Sequence, residues 1–98
     1  MRIKIHTSAG LDLVDGFNFY ENQIGKLGSY FLDSLYADIE SLIITAGVHE
    51  VHFKKYFRML SKRFPFAIYY KIKNDIIHVI AVLDCRRKPS WIRNKLSK

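Results

Sequence analysis

One cysteine, two prolines and no long apolar run are the scarcities that first constrain this 98-residue chain. A lone thiol, Cys85, closes no internal disulfide, so the cystine-stapled secreted folds are excluded and a reducing compartment is expected. No stretch nears the ~20 apolar residues of a membrane-spanning helix. The opening MRIKIHTSAG lacks the apolar core of a secretory leader. The expectation is a cytoplasmic protein with no membrane partner. The glycines are scattered, and none builds the phosphate-cradling loop of nucleotide-binding proteins. No Gly-x-Ser-x-Gly elbow occurs, and the hydroxyl side chains fall at expected caps and turns, which argues against a hydrolytic triad. His49 and His52 stand three apart in an expected loop, too small a set for zinc. No metal and no cofactor is expected.

Acid is scarce in one half only. Residues 1–48 carry three Lys/Arg and six Asp/Glu, a net −3, whereas residues 49–98 carry thirteen and three, a net +10, giving +7 overall. A domain polarised in this way suits an acidic partner, either nucleic acid or an anionic protein surface, although basic charge also serves solubility. What the chain has in quantity is apolar and aromatic residue, 49% and 14%, enough to exclude overall disorder and to build a single core. One domain spanning residues 1–98 is expected.

Residues 2–7 alternate polar and apolar and predict a short strand. Ser8 is placed to cap a helix running from Ala9 to about Ile24, with Leu13, Val14, Phe17, Tyr20 and Ile24 at helical spacing. Gly25 and Gly28 are expected to break it. A second helix from Ser29 carries Leu32, Leu35, Ile39 and Leu42 on one stripe and ends at Gly47. The short link predicts an antiparallel helical hairpin. Val48 to Lys54 reads as a polar connection, followed by a strand over 55–61. Strands over 66–73 and 76–83 join through a tight Asn74-Asp75 turn. Phe66, Ile68, Tyr70 and Ile72 share one face of the first, while the second is apolar on both faces apart from His78, as in a strand covered on both sides. Pro89 and Ser90 introduce a short helix, Trp91 to Leu96. The order β-α-α-β-β-β predicts an α+β fold, with the helical hairpin packed on a small antiparallel sheet and a short C-terminal helix.

Two chemistries fit the cations. A metal-free ribonuclease needs Lys or Arg to steady the phosphate and a group to move a proton. Lys54, Lys55, Arg58, Arg63, Arg86 and Arg87 could supply the first, and His49, His52, His78 or Tyr69 the second. Against this, His78 reads as a core histidine, Tyr69 as a strand aromatic and the basic set as a solvated face. Arg86-Arg87 stands where a central strand ends and before a proline, so its guanidinium groups are held to grip carboxylates or phosphates. Alternatively one of them pairs internally with Asp84 or Glu50. Beside them, Cys85 is either activated by the positive charge or a buried, inert thiol.

Three segments carry a family likeness: DLVDGFNFYENQIGKLGSYFLDSLYADIESL, SKRFPFAIYYKI and VIAVLDCRRKPSW. Over essentially its whole length the chain resembles RelE/ParE-superfamily toxins of bacterial type II toxin–antitoxin modules, in particular the ParE-like branch. The resemblance implies a helical hairpin on an antiparallel sheet and a cognate antitoxin whose C-terminal segment wraps the toxin. ParE-like members are known as DNA gyrase poisons, and RelE-like members as ribosome-dependent mRNA endonucleases. Where the nuclease branch carries a key arginine this chain has Phe66-Ala67, and where it carries a C-terminal Tyr this chain has Trp91. Both departures favour the ParE side. A further departure is Asp84-Cys85-Arg86-Arg87, where the ParE-like branch often has His-x-Arg-Arg. The expectation is a non-enzymatic, gyrase-directed toxin with no catalytic residue. Arg86, Arg87, Lys88, Arg93 and Lys95 would contact the target, and Arg58, Arg63 and Lys71 the antitoxin. A ribosome-dependent ribonuclease and a non-toxic orphan domain of the same fold are the alternatives.

Overall fold

The structure, a computed structural model, describes residues 1–97, so the last residue of the expected domain lies outside it. The elements in chain order are β1 (Arg2–Ile5), α1 (Thr7–Glu21), α2 (Leu27–Glu40), α3 (Leu42–Thr45), β2 (Glu50–His52), β3 (Tyr56–Leu60), β4 (Phe66–Lys73), β5 (Ile76–Asp84) and α4 (Pro89–Leu96). The expected α+β class and element order are observed, with α3 and β2 added. The five strands form one sheet in the order β1-β5-β4-β3-β2.

The expected all-antiparallel sheet is corrected at one edge. β2 through β5 pair antiparallel, but β1 lies parallel to β5, with Lys4 opposite His78. The reason is topological. β3, β4 and β5 form a meander whose outer edge is β5, and β1 adds there in the direction that lets α1 fold back over the sheet. The β4–β5 turn is as expected: Asn74 and Asp75 both take left-handed φ, 54° and 62°, the conformation that closes a two-residue hairpin with the right twist.

β4 alternates as read from its sequence. Ile68 and Tyr70 face the helices, and Ala67 and Tyr69 face the other side. β5 does not alternate throughout. Tyr70 pairs with Val79 but Tyr69 pairs with Ala81, so the ladder is irregular around Ile80. This bulge lets Ile77, Val79 and Val82 all face the helices, although their numbers differ in parity. The amide of Val82 donates to Asp12 Oδ2 on α1 at 3.0 Å. Two cores result. The larger lies between the helical hairpin and the sheet and includes Leu13, Phe31, Leu35, Ile39, Tyr70 and Val79. The smaller lies on the opposite face, where Ile92 and Leu96 of α4 cover Tyr56, Tyr69, Ala81 and Leu83. β5 is thus covered on both faces at its C-terminal half, as its composition predicts. Each large side chain so buried contributes about 1.5–3 kcal/mol.

The helix ends differ from expectation. Ser8 lies inside α1, whose N-cap is His6, and its hydroxyl donates to the Ile80 carbonyl at 2.6 Å. α1 stops at Glu21, not near Ile24. Gly28, expected as a breaker, sits within the first turn of α2 against α1: a Cβ there would lie 2.7 Å from the Phe17 carbonyl oxygen. Glu21 takes over the capping. Its Oε2 accepts from the Lys26 amide at 3.0 Å and its Oε1 from the Gly28 amide at 2.9 Å, putting a carboxylate at the positive end of α2. The second expected helix is split at Ser41, and Gly47 follows α3 with φ of +96°. The connection expected from Val48 to Lys54 contains β2, which pairs with β3 at the sheet edge.

Candidate functional site: a cationic rim around the C-terminal helix

The segment after β5 is built around one ion pair. Arg86 turns back on Asp84, donating from Nε to Oδ1 at 3.0 Å and from a terminal guanidinium nitrogen to Oδ2 at 2.8 Å, while the Arg86 amide also donates to Oδ1 at 2.9 Å. The Arg86 guanidinium beside Asp84 holds its carboxyl below the usual carboxylate range. The internal-pairing reading therefore holds for Arg86, with Asp84 as partner; Glu50 contacts His52 instead, at 3.2 Å. Arg86 remains exposed, but its charge is largely matched.

Arg87 is different. Its guanidinium lies 4.5 Å from the Trp91 ring centroid, and Lys95 lies 5.6 Å from the same ring. Both cations reach Trp91 because α4 places residues 91 and 95 one turn apart while Arg87 precedes the helix. Lys88 is the exposed N-cap of α4, and Arg93 reaches 5.6 Å from the ring of Phe53 in the β2–β3 loop. Of the five residues expected at the target surface, Arg87 and Lys95 are brought together, Lys88 is adjacent in the chain, Arg93 lies over Phe53, and Arg86 is committed to Asp84.

Arg87, Trp91 and Lys95 form one wall of a groove of about 470 Å³ whose opposite wall is α1. Phe66, Val82 and Leu83 of the strands line it with apolar surface, and its α1 side carries Asp12, Asp15, Gly16 and Phe19. Burial pushes the Asp12 carboxyl up, against the pull of the Val82 amide. The groove is therefore amphipathic, with Arg87 and Lys95 on the α4 side, Asp12 and Asp15 on α1, and Asp84 lining it from the end of β5.

The three residues expected at the antitoxin surface do not form one patch. Lys71 and Arg58 lie on the sheet face away from the helical hairpin, with Lys71 5.0 Å from the Tyr56 ring centroid and Arg58 paired in register with Tyr69. Arg63 sits in the β3–β4 connection, 5.9 Å from the ring of Tyr30 on α2. The proton-transfer candidates are scattered too. His49 contacts the Tyr70 hydroxyl on the hairpin side of the sheet, and burial lowers its pKa. Tyr69 faces the other side at 1% exposure, and burial raises its phenol, with the nearby Arg58 guanidinium opposing. Cys85 is half-buried against the smaller core, and its amide donates to the Pro65 carbonyl at 2.9 Å. Among the described residues, no group of three or more His, Cys, Asp or Glu is placed to hold a metal, and no helix is long and apolar enough to cross a membrane.

Two side chains that the sequence reading did not join meet on the open sheet face. His6 Nε2 and His78 Nδ1 are 2.9 Å apart. The signal was weak: a histidine just past β1 and another within β5 become neighbours only once β1 is known to run parallel to β5.

No protein-family model matches the chain, and no curated protein matches it. Among solved structures, it is similar to a chain of the chromosomal ParDE TA system from P. aeruginosa. The TM-score is 0.78 at 17% identity, covering 84% of this chain and 92% of that one. At that identity the likeness establishes the fold. The molecule is a small α+β domain of the type found in that ParDE system, as the resemblance implied.

Proposed function

We propose that this protein is a ParE-like toxin of a type II toxin–antitoxin module, acting by binding and blocking a cytoplasmic target, DNA gyrase, and neutralised by a cognate antitoxin. The observation that carries the reading is the fold likeness to the ParDE chain over most of both chains. The cationic rim gives it a mechanism: Arg87 and Lys95, held against Trp91, with Lys88 and Arg93 beside them, present positive charge from a fixed helix. Guanidinium groups immobilised in this way lose little entropy when they grip carboxylate or phosphate. Arg86 contributes through its clamp on Asp84, which fixes the turn leading to Arg87.

An acidic antitoxin segment would be received by Arg58 and Lys71 on the open sheet face, with Arg63 engaging it at the hairpin side. Such a segment, disordered when free, offsets its ordering entropy by covering cations and apolar surface together. The ribonuclease alternative is disfavoured by the separation of His49 from Tyr69 and His78 across the sheet. Purified protein is to be tested in parallel for inhibition of gyrase supercoiling and for cleavage of ribosome-bound mRNA, after growth arrest on expression. Supercoiling inhibited with mRNA intact supports the proposal. Cut mRNA with unaffected supercoiling transfers the function to the ribonuclease class.

A further inference from the structure

From the geometry of the open sheet face we infer that His6, His78, Lys4 and Lys71 form a binding site for a phosphate group. The inference uses none of the residues proposed to face gyrase, Arg87, Lys88, Arg93 and Lys95, but it shares Lys71 with the proposed antitoxin surface.

The cluster is assembled by sheet register. Lys4 on β1 and Lys71 on β4 both pair with His78 on β5, so the three side chains emerge side by side on one face. His6, one residue past β1, closes on His78 at 2.9 Å with ring centroids 5.1 Å apart. A hydrogen bond between two imidazoles requires one to donate and the other to accept, so the neutral pair leaves a ring nitrogen on each side free for a further partner. Among the described residues, the charged and titratable groups that act on His6 are Lys4, His78 and Lys71, none of them a carboxylate. Lys4 flanks it from β1 and Lys71 from β4, while α1 has no acidic residue in its first turn. The first acid of α1, Asp12, is directed to the Val82 amide.

That environment selects the ligand. Two ammonium groups beside two imidazoles repel a metal cation, although two imidazole nitrogens alone would suit one. With one proton on the imidazole pair the site carries three positive charges. A carboxylate supplies one negative charge and two acceptor oxygens, whereas a phosphate supplies up to two charges and at least as many oxygens for the same donors. Burial, Lys4, His78 and Lys71 together lower the pKa of His6, so protonated His6 is disfavoured when no anion is present. A bound phosphate reverses that cost, and binding is therefore coupled to proton uptake.

The test is an NMR titration of the intact protein with inorganic phosphate, following the His6 and His78 imidazole resonances at pH 6 and pH 8. The expected result is saturable shifts of both rings at pH 6 and binding several-fold weaker at pH 8. Lys4→Ala and Lys71→Ala should each weaken binding by roughly threefold to tenfold. Parallel titrations with a nucleoside monophosphate and with a dinucleotide holding only an internal phosphodiester identify the source of the group, terminal or strand-internal. The inference is overturned if neither ring shifts saturably with any of the three probes. It is equally overturned if both lysine variants bind as wild type does, or if a glutamate-rich peptide displaces phosphate at equal charge concentration.

Discussion

Removing the Glu21 carboxylate tests how the helical hairpin is held. This one side chain accepts the Lys26 amide at 3.0 Å and the Gly28 amide at 2.9 Å at the start of a 14-residue helix whose own N-cap, Lys26, is left-handed and offers no side-chain bond. Glu21→Ala leaves the buried Gly28 amide without its partner and removes negative charge from the positive end of α2. A lost cap costs about 1 kcal/mol, and the lost charge about 0.3–1 kcal/mol more at a partly exposed site. The expected destabilisation is about 1.3–2 kcal/mol in total, which at ~4–8 °C per kcal/mol for a domain of this size lowers Tm by roughly 5–16 °C. Glu21→Gln keeps one acceptor oxygen for one of the two amides, sets a donor NH2 against the other and loses the charge, so it should recover less than half of that loss. The assay is thermal unfolding by circular dichroism, with urea titration to check that the m-value is unchanged. A Glu21→Ala protein within about 0.5 kcal/mol of wild type, the scatter of ordinary surface substitutions, would refute the capping account.

Four further outcomes follow from named contacts. Gly16→Ala would place a Cβ 2.4 Å from Cζ of the fully buried Phe31. Overpacking of about 1–3 kcal/mol should exceed the ~1 kcal/mol helix gain, so urea titration should show net destabilisation. The two carboxylates near the groove have opposite pH signatures. Asp84, held low by Arg86, adds stability above the unfolded carboxylate value of about 3.9 that is lost as pH falls through its folded value, so the deficit of Arg86→Ala should vanish in strong acid. Asp12, pushed up by burial, adds stability below that value that is lost as pH rises through its folded value, so Asp12→Asn should gain on wild type as pH rises through that window. Finally, Arg87→Ala with Lys95→Ala should abolish growth arrest with little change in Tm, whereas Arg86→Ala should lower stability and spare part of the arrest.

Much of the fold was legible because its signals are local. The Leu32, Leu35, Ile39 stripe, the alternation from Phe66 to Tyr70 and the Asn74-Asp75 turn each encode an element within a few residues. What stayed hidden depends on partners far away in the chain. Nothing in RIKI says that it pairs parallel to β5, and that pairing alone brings His6 to His78. The bulge at Ile80 could not be read because both faces of β5 are apolar, so alternation carries no information there. Gly28 looked like a breaker because its role is to admit α1, a tertiary contact. At the candidate site the cations were all legible as charges. Which of them is internally matched was not: Asp84 could have served either arginine, and the two-residue turn geometry chose Arg86.

The most direct test of the gripping account is gyrase supercoiling in the presence of purified wild-type protein and of the Arg87→Ala/Lys95→Ala variant. The account predicts dose-dependent inhibition by wild type and its loss in the folded variant. Supercoiling that proceeds unchanged with wild-type protein, or inhibition that survives in the variant, would contradict it.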